Sequence, residues 1–239
     1  MTTITKIIIS IALSLMVLSC QFDINSVHGN GNVTTSNRSV NKSFNKIKAS
    51  RGLDVYLTQS NDESVSVEAD ENLQEIIITE VENDVLKIYA SENIGQASAR
   101  KVFVNFKNIS AIKASSGSDV FSTNTIIAND LDLASTSGSD LILDVKAKTI
   151  DCKSSSGSDL ELSGTVDHLI AQASSGSDIE ASELKSITSR VKASSGAEIV
   201  VNTSKELIAK ASSGGDVTYY GNPERVDKSD GVSGSITKQ

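Results

Sequence analysis

Six times between residues 114 and 217 the chain returns to one short theme: two small residues and a glycine, then an acid and an aliphatic residue. The copies are Ala114-Ser-Ser-Gly-Ser-Asp-Val120, Ser135-Thr-Ser-Gly-Ser-Asp-Leu141, Ser154-Ser-Ser-Gly-Ser-Asp-Leu160, Ala173-Ser-Ser-Gly-Ser-Asp-Ile179, Ala193-Ser-Ser-Gly-Ala-Glu-Ile199 and Ala211-Ser-Ser-Gly-Gly-Asp-Val217. Their glycines, Gly117, Gly138, Gly157, Gly176, Gly196 and Gly214, stand 18 to 21 residues apart. A unit this short cannot bury its own apolar edge, so the repeat restricts the chain to stacked units that cover one another. Ala49-Ser-Arg-Gly-Leu-Asp-Val55 reads as a degenerate early copy and Val232-Ser-Gly-Ser-Ile236 as a partial last one.

Alignment on the glycines exposes a period of two. Ile112, Leu133, Cys152, Ala171, Val191 and Ala209 fall five residues before them, and Ala114, Ser135, Ser154, Ala173, Ala193 and Ala211 fall three before, so these columns face inward. Between them Lys113, Ala134, Lys153, Gln172, Lys192 and Lys210 face solvent, and after the acid Val120, Leu141, Leu160, Ile179, Ile199 and Val217 turn inward again. Each unit is therefore strand, glycine corner, strand. The expected fold is all-β, a single-stranded right-handed parallel β-helix whose coils lie about 4.8 Å apart. Glycine at each corner supplies a left-handed backbone that side chains disfavour. The run from Asp54 to Gly117 breaks the period. Val65–Glu68, Ile76–Thr79, Val85–Tyr89 and Val102–Phe106 read there as strands, with Glu82-Asn-Asp84 as a hairpin turn, forming a larger β lobe over the N-terminal end. The tail from Tyr219 is expected to close the other end.

Before the repeats, Lys6 precedes an apolar run from Ile7 to Leu18 that is too short for a permanent bilayer span of about 20 residues, so residues 1–19 read as an export signal. Val17-Leu18-Ser19-Cys20 resembles a bacterial lipobox, which makes Cys20 the lipid-bearing residue; Gln21 after it favours the outer membrane. The expected organisation is signal 1–19, lipid anchor and tether 20–32, and β-solenoid 33–239. The expected location is the cell envelope, with the membrane as partner through the anchor. With Cys20 lipidated, Cys152 has no thiol to pair with, and its inward column predicts burial. A net charge of −8 without a clustered cationic surface excludes nucleic acid as a partner.

The serial turns combine with Phe44-Asn-Lys-Ile-Lys48, Leu53-Asp-Val-Tyr-Leu57, Glu71-Asn-Leu73 and Tyr220-Gly-Asn-Pro223. In combination they resemble the auto-transporter adhesin head domain, or GIN domain, common on lipoproteins of Bacteroidetes. The resemblance spans nearly the whole chain after the signal. It implies a right-handed β-helix with an adhesive or binding role and supplies no catalytic residues. Turns of that family usually read G-S-G-D, one glycine more than here, and Glu198 interrupts the aspartates.

Asp119, Asp140, Asp159, Asp178, Glu198 and Asp216 are expected in one file, where neighbours repel by about 1 kcal/mol in water and about 3 kcal/mol at an effective dielectric of 20. Two readings compensate this. Each acid accepts turn N–H and serine hydroxyl bonds that lower its pKa, or the file Asp119, Asp140, Asp159, Asp178, Asp216 takes Ca²⁺ through hard oxygen ligands. No other cofactor or metal is implied. His28, His168 and Ser163 show no matched nucleophile and base spacing. The function expected is a non-catalytic envelope lipoprotein presenting a repetitive face to a surface glycan or protein. The alternatives are a polysaccharide-acting β-helix enzyme, disfavoured by serial acids and the absence of Trp, and a periplasm-facing structural or envelope-stress lipoprotein.

Overall fold

The structure, a computed structural model, describes residues 26–239; the export signal, Cys20 and the first part of the expected tether lie outside the described residues. In chain order the N-terminal part holds β1 (Val33–Arg38), β2 (Lys46–Ser50), β3 (Asp54–Gln59), β4 (Ser64–Asp70), β5 (Ile77–Glu82), β6 (Val85–Ala90) and β7 (Arg100–Phe106). The repeats form β8 (Ala111–Ser115), β9 (Asp119–Ser122), β10 (Ile126–Thr136), β11 (Asp140–Ser155), β12 (Asp159–Ser174), β13 (Asp178–Ser194) and β14 (Glu198–Ser212). β15 (Asp216–Tyr220), β16 (Arg225–Asp230) and β17 (Ser235–Lys238) complete the chain.

β10 to β14 stack as successive parallel coils, Asp140 opposite Asp159, Asp159 opposite Asp178 and Asp178 opposite Glu198. The result is a parallel β-solenoid of about 7 turns. Pairing continues through the corners, where the N–H groups of Gly117, Gly138 and Gly157 donate to the carbonyls of Ser137, Ser156 and Ser175, each at 3.2 Å. The inward columns are as the alternation predicts. Val120, Leu141, Leu160, Ile179, Ile199 and Val217 are at most 1% exposed, and Cys152 is fully buried as a free thiol. Burial pushes that thiol's pKa far up, so it packs as a small apolar group. A one-residue slip would turn each of these columns to solvent, which is why the register is held so strictly.

At the N-terminal end the spatial order departs from the chain order. β2 and β3 lie between two coils: β8 and β9 on one side, β6 and β7 on the other. The chain leaves after β3 through β4, returns by the β5–β6 hairpin, and then steps past its own first coil. β4 pairs antiparallel with β7, and β1 antiparallel with β4, so the lobe covers the parallel edge with antiparallel strands. Asn83 and Asp84 take φ of 49° and 62° in the hairpin turn that the sequence placed there.

One boundary needs correction. The tether, expected to run to residue 32, is docked chain from Ser26 onward. Val27 bridges Ile94, the Gly29 N–H donates to the Gln96 carbonyl at 2.8 Å, and the Asn30 N–H donates to Asn72 Oδ1. The cause is Asp70, whose fully buried carboxylate accepts the N–H groups of Gly31, Ser98 and Ala99. Buried backbone donors need an acceptor, and this one binds the leader to the lobe. At the far end, Lys228, the register partner of buried Ala209, lays its ammonium 4.7 Å from the Tyr219 ring centroid. The apolar column thus ends under a charge, as a terminal repeat requires.

Candidate functional site

The corners are tighter than a single glycine provides. Ser116, Ser137, Ser156, Ser175, Ser195 and Ser213 take φ between 54° and 63°, and the glycine after each is also left-handed, so every corner carries two such residues in succession. Side chains in this region cost about 1–2 kcal/mol each. What holds them is the residue after the glycine. The Ser158 hydroxyl accepts the Ser155 N–H at 3.1 Å and donates to the Ser155 carbonyl at 2.8 Å; Ser118, Ser139 and Ser177 repeat the pattern, all fully buried. Ala197 and Gly215 occupy that place in the last two corners. The Ser156 hydroxyl makes no hydrogen bond among the described residues, so Ser156→Gly is expected to raise stability by about 0.5–1 kcal/mol, read as a higher urea midpoint with an unchanged slope.

The acids form the expected file, Asp119, Asp140, Asp159, Asp178, Glu198 and Asp216 in direct register, extended by Asp54. Their expected role at the corner is corrected: in four corners the serine after the glycine fixes the turn, and the carboxylates stand outside it. The Asp178 carboxylate meets only the Glu198 N–H of the next coil, at 3.3 Å. Partial burial, and next the charges of Asp140 and Asp54, raise the pKa of Asp119; partial burial, and next Asp140 and Asp178, raise that of Asp159. A lowered pKa had been the expectation. The burial and neighbour charges act together here, outweighing the single backbone N–H that each carboxylate accepts. Among the described residues no three His, Cys, Asp or Glu side chains converge where they could share a metal.

Opposite signs follow for the pH dependence. A raised carboxylate pKa weakens the fold at neutral pH, and that penalty is relieved as pH falls through the raised value. Asp70, lowered chiefly by the Ala99 N–H, and Glu82, lowered chiefly by its hydrogen bond from Lys87, contribute stability above their ordinary values of 3.8 and 4.5 that is lost as pH falls through the depressed ones. The melting temperature is therefore expected to rise slightly as pH falls toward the ordinary aspartate value of 3.8 and to drop once pH falls below it. Replacing both Asp119 and Asp159 with Asn should flatten the rise in a thermal scan, leaving the acid fall in place.

Beside the acids runs a second outer column that sequence reading missed. Phe103, Tyr56 and Phe121 stack with centroids 5.2 Å apart on three successive coils, and Ile142, Glu161 and Glu180 continue the column. On the strands before the corner, Lys87, Lys48, Lys113, Lys153, Lys192 and Lys210 lie along one exposed file, as predicted for the last four. Lys113 and Lys153 approach Asp132 and Asp151 at 3.7 and 3.5 Å, exposed pairs that contribute little. The imidazoles form no catalytic set. His28 Nδ1 accepts the Gln96 N–H at 3.2 Å, and His168 Nδ1 meets Thr188 Oγ1, not Ser163, at 2.9 Å.

A capped parallel solenoid whose outer side chains run in files from coil to coil defines the class, a repetitive β-solenoid protein. The particular family is equally plain: the model described as "Putative auto-transporter adhesin, head GIN domain" matches residues 43–223, and the chain belongs to that family. No curated protein sequence matches it. Several solved structures share the fold, among them the three that follow. A "putative adhesin" from Bacteroides fragilis has a TM-score of 0.82 at 20% identity, covering 90% of this chain and 100% of that one. A "putative adhesin" from Parabacteroides merdae has 0.71 at 16% identity, covering 90% and 99%. A "putative lipid binding protein" from Parabacteroides distasonis has 0.71 at 22% identity, also covering 90% and 99%.

Proposed function

We propose that this chain is a non-catalytic envelope lipoprotein, anchored through Cys20 in the outer membrane, whose solenoid presents repetitive polar faces for adhesion to a surface glycan or protein. The observation that carries this reading is the regularity of the outer files. An acid recurs at the same place in every coil, and lysine and serine recur at theirs in most, whereas a hydrolytic or lyase site gathers unlike acids and bases at one point. Membership of an adhesin-head family supports the same reading. Calcium is left out of the proposal, because the file offers carboxylates pairwise and Ca²⁺ takes about six to eight oxygens. The test is protease treatment of intact cells together with binding of the purified chain to glycan and matrix-protein arrays. External digestion, release from the membrane by Cys20→Ser, and saturable binding are the expected results. Cleavage of an acidic polysaccharide that disappears on replacing one acid would overturn the non-catalytic reading.

A further inference from the structure

The three coils formed by residues 159–215 carry opposite charge on the two sides of their corners. On the strands after the corner, Asp159, Glu161, Asp178, Glu180 and Glu198 are all exposed and border a shallow depression of about 310 Å³. Their contacts are backbone N–H groups, Asp178 to Asp159, Ser182 to Glu180 at 2.9 Å and Glu198 to Asp178 at 3.3 Å; among the described residues no cation lies within 4 Å of any of them. On the strands before the corner of the same coils stand Arg190, Lys192 and Lys210, exposed around a depression of about 210 Å³ whose apolar walls are Ile170 and Ile208. Among the described residues none of the three has an ion-pair or hydrogen-bond partner.

Two unneutralised faces of opposite sign are thus built on one ladder. Lys192 lies in register with Lys210, and Asp159, Asp178 and Glu198 in register with one another, so both faces have the same height and the same rung spacing of about 4.8 Å. Within one molecule no ion pair joins the described residues of the two faces. Two copies standing side by side with parallel axes can set one row against the other, matched at the rungs of Lys192 and Lys210, with Gln172 in the third place of the basic row. We propose that the chain associates laterally with further copies of itself, the Arg190, Lys192 and Lys210 face of one docking on the Asp159, Asp178 and Glu180 face of the next. The contact is heterologous, so each copy keeps a free face for a further one and assembly does not stop at a pair. Single exposed pairs are weak; here a commensurate set acts at once, between molecules whose lipid anchors would hold them parallel. The inference goes beyond the adhesive reading, which stands even if the copies remain apart.

The test is zero-length carbodiimide cross-linking of the full chain, which joins an amine to a carboxylate only on contact. Wild type is expected to give dimers and a ladder of larger species, with Lys192 or Lys210 linked to Asp178 or Glu180, and to lose at least about tenfold of that yield near 1 M salt, where the screening length is about 3 Å. Lys192→Glu with Lys210→Glu should abolish the ladder, as should Asp178→Lys with Glu180→Lys, each melting like wild type; mixing the two variants should restore cross-linked dimers of unlike chains. Lys192→Gln with Lys210→Gln replaces the first variant if charge reversal prevents folding. A monomeric wild type, links at other residues, or a mixture that stays monomeric overturns the inference. Retention of the wild-type chain on an acidic polysaccharide through Lys192 and Lys210 with no self-linking does so too, since the partner would then be a polyanion.

Discussion

Gly164→Ala is expected to lower the melting temperature by about 10 °C, whereas the same change at Gly176, one corner further on, costs only a few degrees. Both glycines have positive φ, 108° and 62°. A Cβ at Gly176 meets nothing within 4 Å, so Gly176→Ala carries only the backbone cost, about 1 kcal/mol. A Cβ at Gly164 would stand 2.1 Å from the Val145 carbonyl oxygen and 3.0 Å from its carbon. Val145 cannot retreat, because it is fully buried and paired with Ile126 on its other side. Overpacking adds about 1–3 kcal/mol to the backbone cost, and at this chain length each kcal/mol moves the midpoint by about 2–4 °C. Equal losses in paired thermal scans would show that close approach between coils is not what the glycine serves.

The second large effect is expected at Leu160→Ala, with a loss of about 3–5 kcal/mol. Leu160 is 1% exposed, between Leu141 above and Ile179 below. Two corners and two rungs of backbone pairing fix its neighbours, so the void cannot collapse, and the upper part of the range applies. Because each coil touches only the coils beside it, the damage stays local. Amide exchange should accelerate first across β11, β12 and β13 and last in β4 and β7. A uniform loss of protection would instead mean that lobe and solenoid unfold as one unit.

Most of the solenoid was legible because each coil repeats its inward columns with small insertions; Leu141, Leu160 and Ile179 could be aligned by eye and proved stacked. The turn of β5 and β6 was legible from Asn83 and Asp84, and the burial of Cys152 from its column. The coil insertion at the N-terminal end was not. Tyr56, Phe103 and Phe121 are separated by whole elements in the sequence, and only the stepping of the chain past its first coil brings their rings together. The left-handed serines escaped for another reason: serine carries no mark of positive φ, and what stabilises four of the six is the hydroxyl two residues on. Asp70 looked like any strand-end acid, since nothing in its neighbourhood of sequence reveals the Gly31 and Ala99 donors that meet it.

The interleaved N-terminal coils make the two ends unequal as places to change. Residues 46–59 are clasped between segments synthesised after them, so nothing there can be shortened or duplicated without unseating both neighbours. Further along, removal of residues 159–177 would join Ser158 to Asp178 with every column still aligned, because Asp159 and Asp178 already occupy equivalent places. The reach of the molecule is therefore adjustable one storey at a time beyond β9, above a ground floor that admits no rebuilding.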